Sequence, residues 1–292
     1  VIVNMACAGP LSTLLNLAVQ KTQTVSEETT KRSNADCQTI AEEGIVLLKN
    51  NGILPLKNTQ KLNVFGWAST NPIYGGSGAG ALNDLYDKVT LLEGLEDAGY
   101  EVNTELTDLY TNLGAERASY GSDWSLPELP VSDYSNEVLD NAKEFSDTAV
   151  VVIARWGGEG SDLPTDMTAA QYTNNSSEYA DFSAGEHYLE LSQTEKDMID
   201  MVCDNFDNVV VVYNGLSTFE LGFINDYPQI KGVLWCQGAG QTGFDGLGTI
   251  LNGSVNPSGK TSDTFVYDLT KTPTWNNFGD FKYDNMQEFK ID

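Results

Sequence analysis

Three runs of almost unbroken aliphatic residues constrain this chain more than any other feature: TAVVVIA at 148–154, NVVVVYN at 208–214 and IKGVLWC at 230–236. Each is too short for an ordinary helix and lacks the apolar–polar alternation of a strand with one wet face. Each therefore reads as a strand buried on both sides. Such strands belong to mainly parallel sheets sandwiched by helices on both faces, and the intervening segments have helical character. VTLLEGLEDAG reads as a helix opened by Thr90 and closed by Gly99, and SQTEKDMIDMVCDNF begins with a Ser192–Glu195 capping box. Further helices are predicted from about Glu105, over Ser135 to Phe145, near Phe219 and from about Thr242 to Leu251. Ile40, Ile45 and Leu48 recur at turn spacing and predict one helix from Ser26 to Leu48. KLNVFGW and residues 100–103 complete the strands, which gives an α/β fold with a mainly parallel sheet covered by helices on both faces.

Ligands bind such sheets at the carboxyl ends of the strands. Three loops there are glycine-rich: GWASTNPIYGGSGAG, RWGGEGSD and CQGAGQTG. Two nucleotide signals do not hold up. GSVNPSGKT is spaced one residue too long for a phosphate loop and lacks the preceding strand. GSGAGA, at 76–81, fits the dinucleotide fingerprint but lies far from both its strand and its helix.

Composition narrows the partners. Forty-two acidic against sixteen basic residues give a formal charge of −26, which repels phosphate backbones and anionic lipid, so no nucleic acid is expected. One histidine, His187, and four scattered cysteines cannot assemble an ordinary zinc site. His187 reads as a loop or packing residue, and no cofactor or metal is expected. Residues 1–24 are largely apolar and read either as an anchor or signal remnant or as a segment packing on a neighbouring domain. An extracellular or cell-surface location is favoured slightly over the cytoplasm.

Glu159 stands out because glycines flank it at the end of the central apolar strand, where backbone and substrate can approach closely. On local residues alone a solvated loop glutamate remains the commoner reading. The blocks AEEGIVLLKNNGILPL, VTLLEGLEDAGY, GGEGSD, YLELSQTEKDMID and NPSGKTSDTF, in this order, resemble the αβ-sandwich domain of glycoside hydrolase family 3. The resemblance implies an (α/β)6 sandwich with flavodoxin-like layers over residues 25–270. It implies Glu159 as the catalytic acid/base of a retaining, exo-acting β-glycosidase of the β-glucosidase type, acting on a β-linked oligosaccharide or glucoside. The nucleophile would sit on a (β/α)-barrel domain, in cis or as a second chain, towards which residues 271–292 would lead in a permuted domain order. In the family pattern S-G-E-G-x-D-R, a glycine here takes the place of the serine and Leu163 that of the arginine. Arg155 is the expected substitute for that arginine, Trp156 a flat face for sugar, Ser77 a contact near the leaving group, and Asp162 a support for the loop. Trp67 and Tyr74 are further candidate faces. Asp123, within a Ser-Asp-Trp triplet, reads as a surface-loop residue rather than the nucleophile. A non-catalytic sugar-binding module, a flavodoxin-like nucleotide binder and a homo-oligomer stay open.

Overall fold

The computed structural model describes residues 25–83, 86–115, 117, 123–160 and 162–275. The chain divides into two units, Val1–Asp36 and Cys37–Asp292. Described residues of the first hold the start of helix α1 (Glu27–Gly44), where Arg32 and Asp36 form an exposed pair 3.8 Å apart. The expected N-terminal segment 1–24 and most of the expected extension 271–292 lie outside the described residues. No helix among the described residues is long and apolar enough to cross a membrane.

The second unit is built on one six-stranded sheet. Its strands are β1 (Val46–Asn50), β2 (Lys61–Phe65), β3 (Glu101–Val102), β4 (Thr148–Arg155), β5 (Asn208–Gly215) and β6 (Ile230–Cys236). They lie in the order β1-β6-β5-β4-β2-β3, all pairs parallel except β1 with β6. Strands β4 and β5 stay in register from Thr148↔Asn208 to Arg155↔Gly215. Every residue of β4 is buried, as its unbroken aliphatic run predicts.

Alternate residues of the strands feed two cores. Val151, Ile153, Val211 and Tyr213 meet Leu106 of α3 (Thr104–Asn112), Ala142 of α4 (Asn136–Phe145) and Met198 and Val202 of α5 (Gln193–Asn205). Val150, Val152, Val210 and Val212 meet Leu91 and Leu95 of α2 (Leu91–Asp97) and Phe244 and Leu247 of α6 (Gly243–Asn252). Each fully buried aliphatic side chain contributes about 1.5–3 kcal/mol, so the two-sided strands are the main stabilising element. Helices α2 and α6 approach closely: a Cβ on Gly94 would strike the Phe244 carbonyl, and one on Gly248 would strike the Gly94 carbonyl.

Two expectations are corrected. The helix predicted from Ser26 to Leu48 ends at Gly44, and Val46–Asn50 forms the antiparallel edge strand β1. The apolar spacing misled because Ile45 is a core residue beyond the helix, whereas Ile40 on the helix is 71% exposed. The helical segment near Phe219 is instead a single 3-10 turn at Gly222–Asn225. The capping boxes at Thr90/Glu93 and Ser192/Glu195 are both formed. In the phosphate-loop look-alike, Gly259 rests against the carbonyls of Gly44 and Ile45, where a side chain has no room, so that glycine serves the helix-to-strand turn.

Candidate active site

The carboxyl ends of β2, β4, β5 and β6 share one edge, and their loops are tied together there by buried polar groups. Asn214, at the end of β5, is fully buried; its Oδ1 accepts from the Ile73 N–H at 2.5 Å, and its Nδ2 donates to the carbonyls of Ile73, Cys236 and Gln237. One side chain thus holds the loops after β2 and β6 to the end of the central strand.

Glu159 lies on the loop after β4 and is exposed. Its carbonyl accepts the Ser77 hydroxyl at 2.8 Å, and its Oε2 accepts the Ala79 N–H at 3.1 Å. The two glycine-rich loops therefore dock on each other, and glycine is what lets them. Gly78 has φ +61°, and a Cβ there would lie 2.7 Å from Glu159 Oε2. A Cβ on Gly158 would collide with the Ser77 backbone. The Ala79 amide that a dinucleotide phosphate would need is turned onto a carboxylate, which repels an anion.

Arg155 is not where a substrate contact must be. Its side chain is 1% exposed, and all five of its N–H groups are engaged. They go to Glu195 Oε1 and Oε2 at 2.7 and 2.6 Å, and to the carbonyls of Tyr188, Ala154 and Glu190 at 2.6, 3.0 and 2.6 Å. Burial alone would lower the guanidinium pKa; the adjacent Glu195 carboxylate outweighs it and holds the pKa above its ordinary value. Arg155 thus joins the root of the Glu159 loop to the start of α5, where Glu195 also closes the capping box. Asp162 is a second correction: it is exposed and, among the described residues, supports the loop through no hydrogen bond. Ser77 is buried, with its hydroxyl committed to Glu159.

Trp156 is half-buried; its N–H donates to the Tyr188 hydroxyl at 3.0 Å, and its ring lies 6.1 Å from that of Trp124. Its side chain stays partly exposed. Trp67 does not, being buried beneath the Arg117 guanidinium at 4.5 Å. Tyr74 is half-buried with Lys88 over its ring at 4.7 Å. Asp123 spends its carboxylate on the Ser125 N–H and hydroxyl, and Trp124 is buried against Tyr188. His187 is buried; its Nδ1 accepts from the Leu189 N–H at 3.1 Å, and its Nε2 lies 3.0 Å from Glu220 Oε1, so it knits loops together. Asn214 and Tyr188 were missed by sequence reasoning. The local signal for Asn214 is a lone amide ending an aliphatic run, where an apolar residue would be expected.

A mainly parallel six-stranded sheet between helices, with a glycine-framed carboxylate at the carboxyl ends of its strands, defines an α/β-sandwich domain. Residues 45–292 match the glycosyl hydrolase family 3 C-terminal domain. The chain is 32% identical over 242 residues to a β-glucosidase of Ruminococcus albus, covering 81% of this chain and 23% of that protein. It is 30% identical over 247 residues to β-glucosidase A of Butyrivibrio fibrisolvens, covering 81% and 29%. Among solved structures, β-glucosidase 3B of Thermotoga neapolitana in complex with α-D-glucose superimposes with a TM-score of 0.69 at 28% identity, covering 88% of this chain and 34% of that one. The β-glucosidase of Paenibacillus barengoltzii gives 0.68 at 28%, covering 84% and 25%. This chain belongs to glycosyl hydrolase family 3 and is its C-terminal-type domain. It spans about a quarter of the length of these curated relatives.

Proposed function

We propose that this domain supplies the general acid/base, Glu159, of a retaining β-glycosidase of the β-glucosidase type, with the nucleophile on a (β/α)-barrel domain. The supporting observation is the exposed Glu159 carboxylate, framed by glycines after the central strand and held by one backbone N–H. In the first step Glu159 gives its proton to the glycosidic oxygen while the barrel carboxylate attacks the anomeric carbon. In the second, Glu159 takes a proton from the water that releases the sugar. The two carboxyl groups would stand about 5–5.5 Å apart across the interdomain cleft. Trp156 and the Ser77 loop border the leaving-group side; Arg155 positions the loop from below.

In the barrel-complete enzyme, Glu159→Gln lowers turnover of a poorly activated glucoside by about 10²–10⁴-fold. Azide restores release from a substrate with a good leaving group, forming the glycosyl azide. An unchanged rate removes Glu159 from the mechanism.

A further inference from the structure

Tyr267 is the most exposed large apolar side chain among the described residues, at 75%. A scattered exposed ring needs no explanation, and it is ordinarily free to change rotamer. This one is pinned. Two residues before it, Phe265 packs on Trp235 with ring centroids 5.0 Å apart, and two residues after it the Leu269 N–H donates to Glu220 Oε1. The Tyr267 hydroxyl accepts Nδ2 of Asn225 at 3.3 Å, and its ring lies so close to Gly222 that a Cβ there would meet Cδ1 at 2.7 Å. Only a glycine lets the ring lie against the backbone at that point. The aromatic face is thus held in place and still offered to water.

Beside it opens a cleft of about 430 Å³ between the start of α5 and the 3-10 turn Gly222–Asn225. That size falls within the roughly 300–1,000 Å³ of small-molecule sites. None of its lining residues lies on the three glycine-rich loops, so it is no part of the Glu159 loops. Half-buried Phe223 adds carbon to the lining, and the polar groups are of both kinds. Lys196 Nζ spends one N–H on Glu186 Oε1 at 3.2 Å and keeps the others. Glu220 spends Oε1 on His187 and Leu269 and keeps Oε2. Asp226 is exposed, and its carboxylate makes no hydrogen bond among the described residues. A lone cation would face Lys196, and a lone anion would face the carboxylates. A pyranose suits the whole set: each hydroxyl both gives and accepts a hydrogen bond, and its C–H face covers an aromatic plane.

We infer that the Tyr267 cleft is a second, non-catalytic sugar site, which takes a pyranose unit stacked on the tyrosine ring. The site does not depend on the role of Glu159. The test titrates the barrel-complete enzyme by calorimetry with a cellotetraose whose linkages carry sulfur in place of oxygen, so that it is bound and not cut. The unaltered enzyme shows a second binding event besides that of the reaction site. Tyr267→Ala weakens the second event about tenfold, and Tyr267→Phe keeps it within about twofold, because the face and not the hydroxyl carries the stacking. Both variants hydrolyse nitrophenyl glucoside at the unaltered rate. Titrations that Tyr267→Ala leaves unmoved overturn the inference. A loss of nitrophenyl glucoside turnover in step with binding also overturns it, since the tyrosine then acts through the reaction site. Tetramethylammonium binding that Tyr267→Ala abolishes, with sugar binding intact, overturns it in favour of a cation site.

Discussion

Glu128 shows how strongly one buried side chain can couple this domain to pH. It lies between α3 and α4, is 5% exposed, and accepts the N–H groups of Trp67 and Leu129, each at 2.9 Å. Burial pushes its carboxyl up from an ordinary 4.5 to about 8, the two N–H bonds only partly offsetting that. The folded state then holds a proton that the unfolded state has released, so stability is greatest below about pH 4.5 and is lost as pH rises to about 8. Urea unfolding at pH 5 and pH 8 should show that loss, and Glu128→Gln should shrink it; parallel losses in both proteins would place the buried charge elsewhere. The glycines around Glu159 read as room for a close backbone approach, and the 76–80 loop docks there; a role for the carboxylate came only with the family resemblance. The place of Arg155 was not legible, because its partner Glu195 lies forty residues on and reads only as a capping residue. A guanidinium beside glycines looks like a clamp until its burial is known.

At the scale of elements, the aliphatic runs, the Thr90 and Gly99 boundaries and the Ser192–Glu195 capping box predicted β4, β5, β6, α2 and α5, because burial on both faces and local hydrogen bonds are written in contiguous residues. The α1–β1 junction was misread for the opposite reason: Val46–Asn50 becomes a strand only by pairing with β6, far away in the chain. The α2–α6 contact was equally silent, since two glycines in separate helices carry no local pattern. It makes a sharp prediction. Gly248→Ala drives a methyl group into the Gly94 carbonyl and the Ala98 side chain and should cost about 1–3 kcal/mol in urea unfolding. Gly80→Ala, with no neighbouring atom within 4 Å, should stay within about 0.5 kcal/mol. Equal costs at both sites would mean the helices move apart without penalty.

At the scale of the whole molecule, the chain covers 23% and 29% of its curated β-glucosidase relatives, and on the function proposed above it carries only one of the two carboxylates that a retaining glycosidase uses. The 292-residue chain by itself should therefore leave nitrophenyl glucoside intact. Brisk hydrolysis by the pure chain, abolished in Glu159→Gln, would require a nucleophile within these residues. The charge of −26 favours solubility and adds mutual repulsion between copies. The borders of the sheet act in the same sense. One outer strand, β3, is two residues long, and the other, β1, breaks register between Leu47 and Lys49, with Lys49 Nζ donating to the Ile224 carbonyl at 2.8 Å. Neither flank offers a long flat template for an incoming chain to extend. Assembly by strand addition is thereby discouraged on both sides, whatever other face a partner uses.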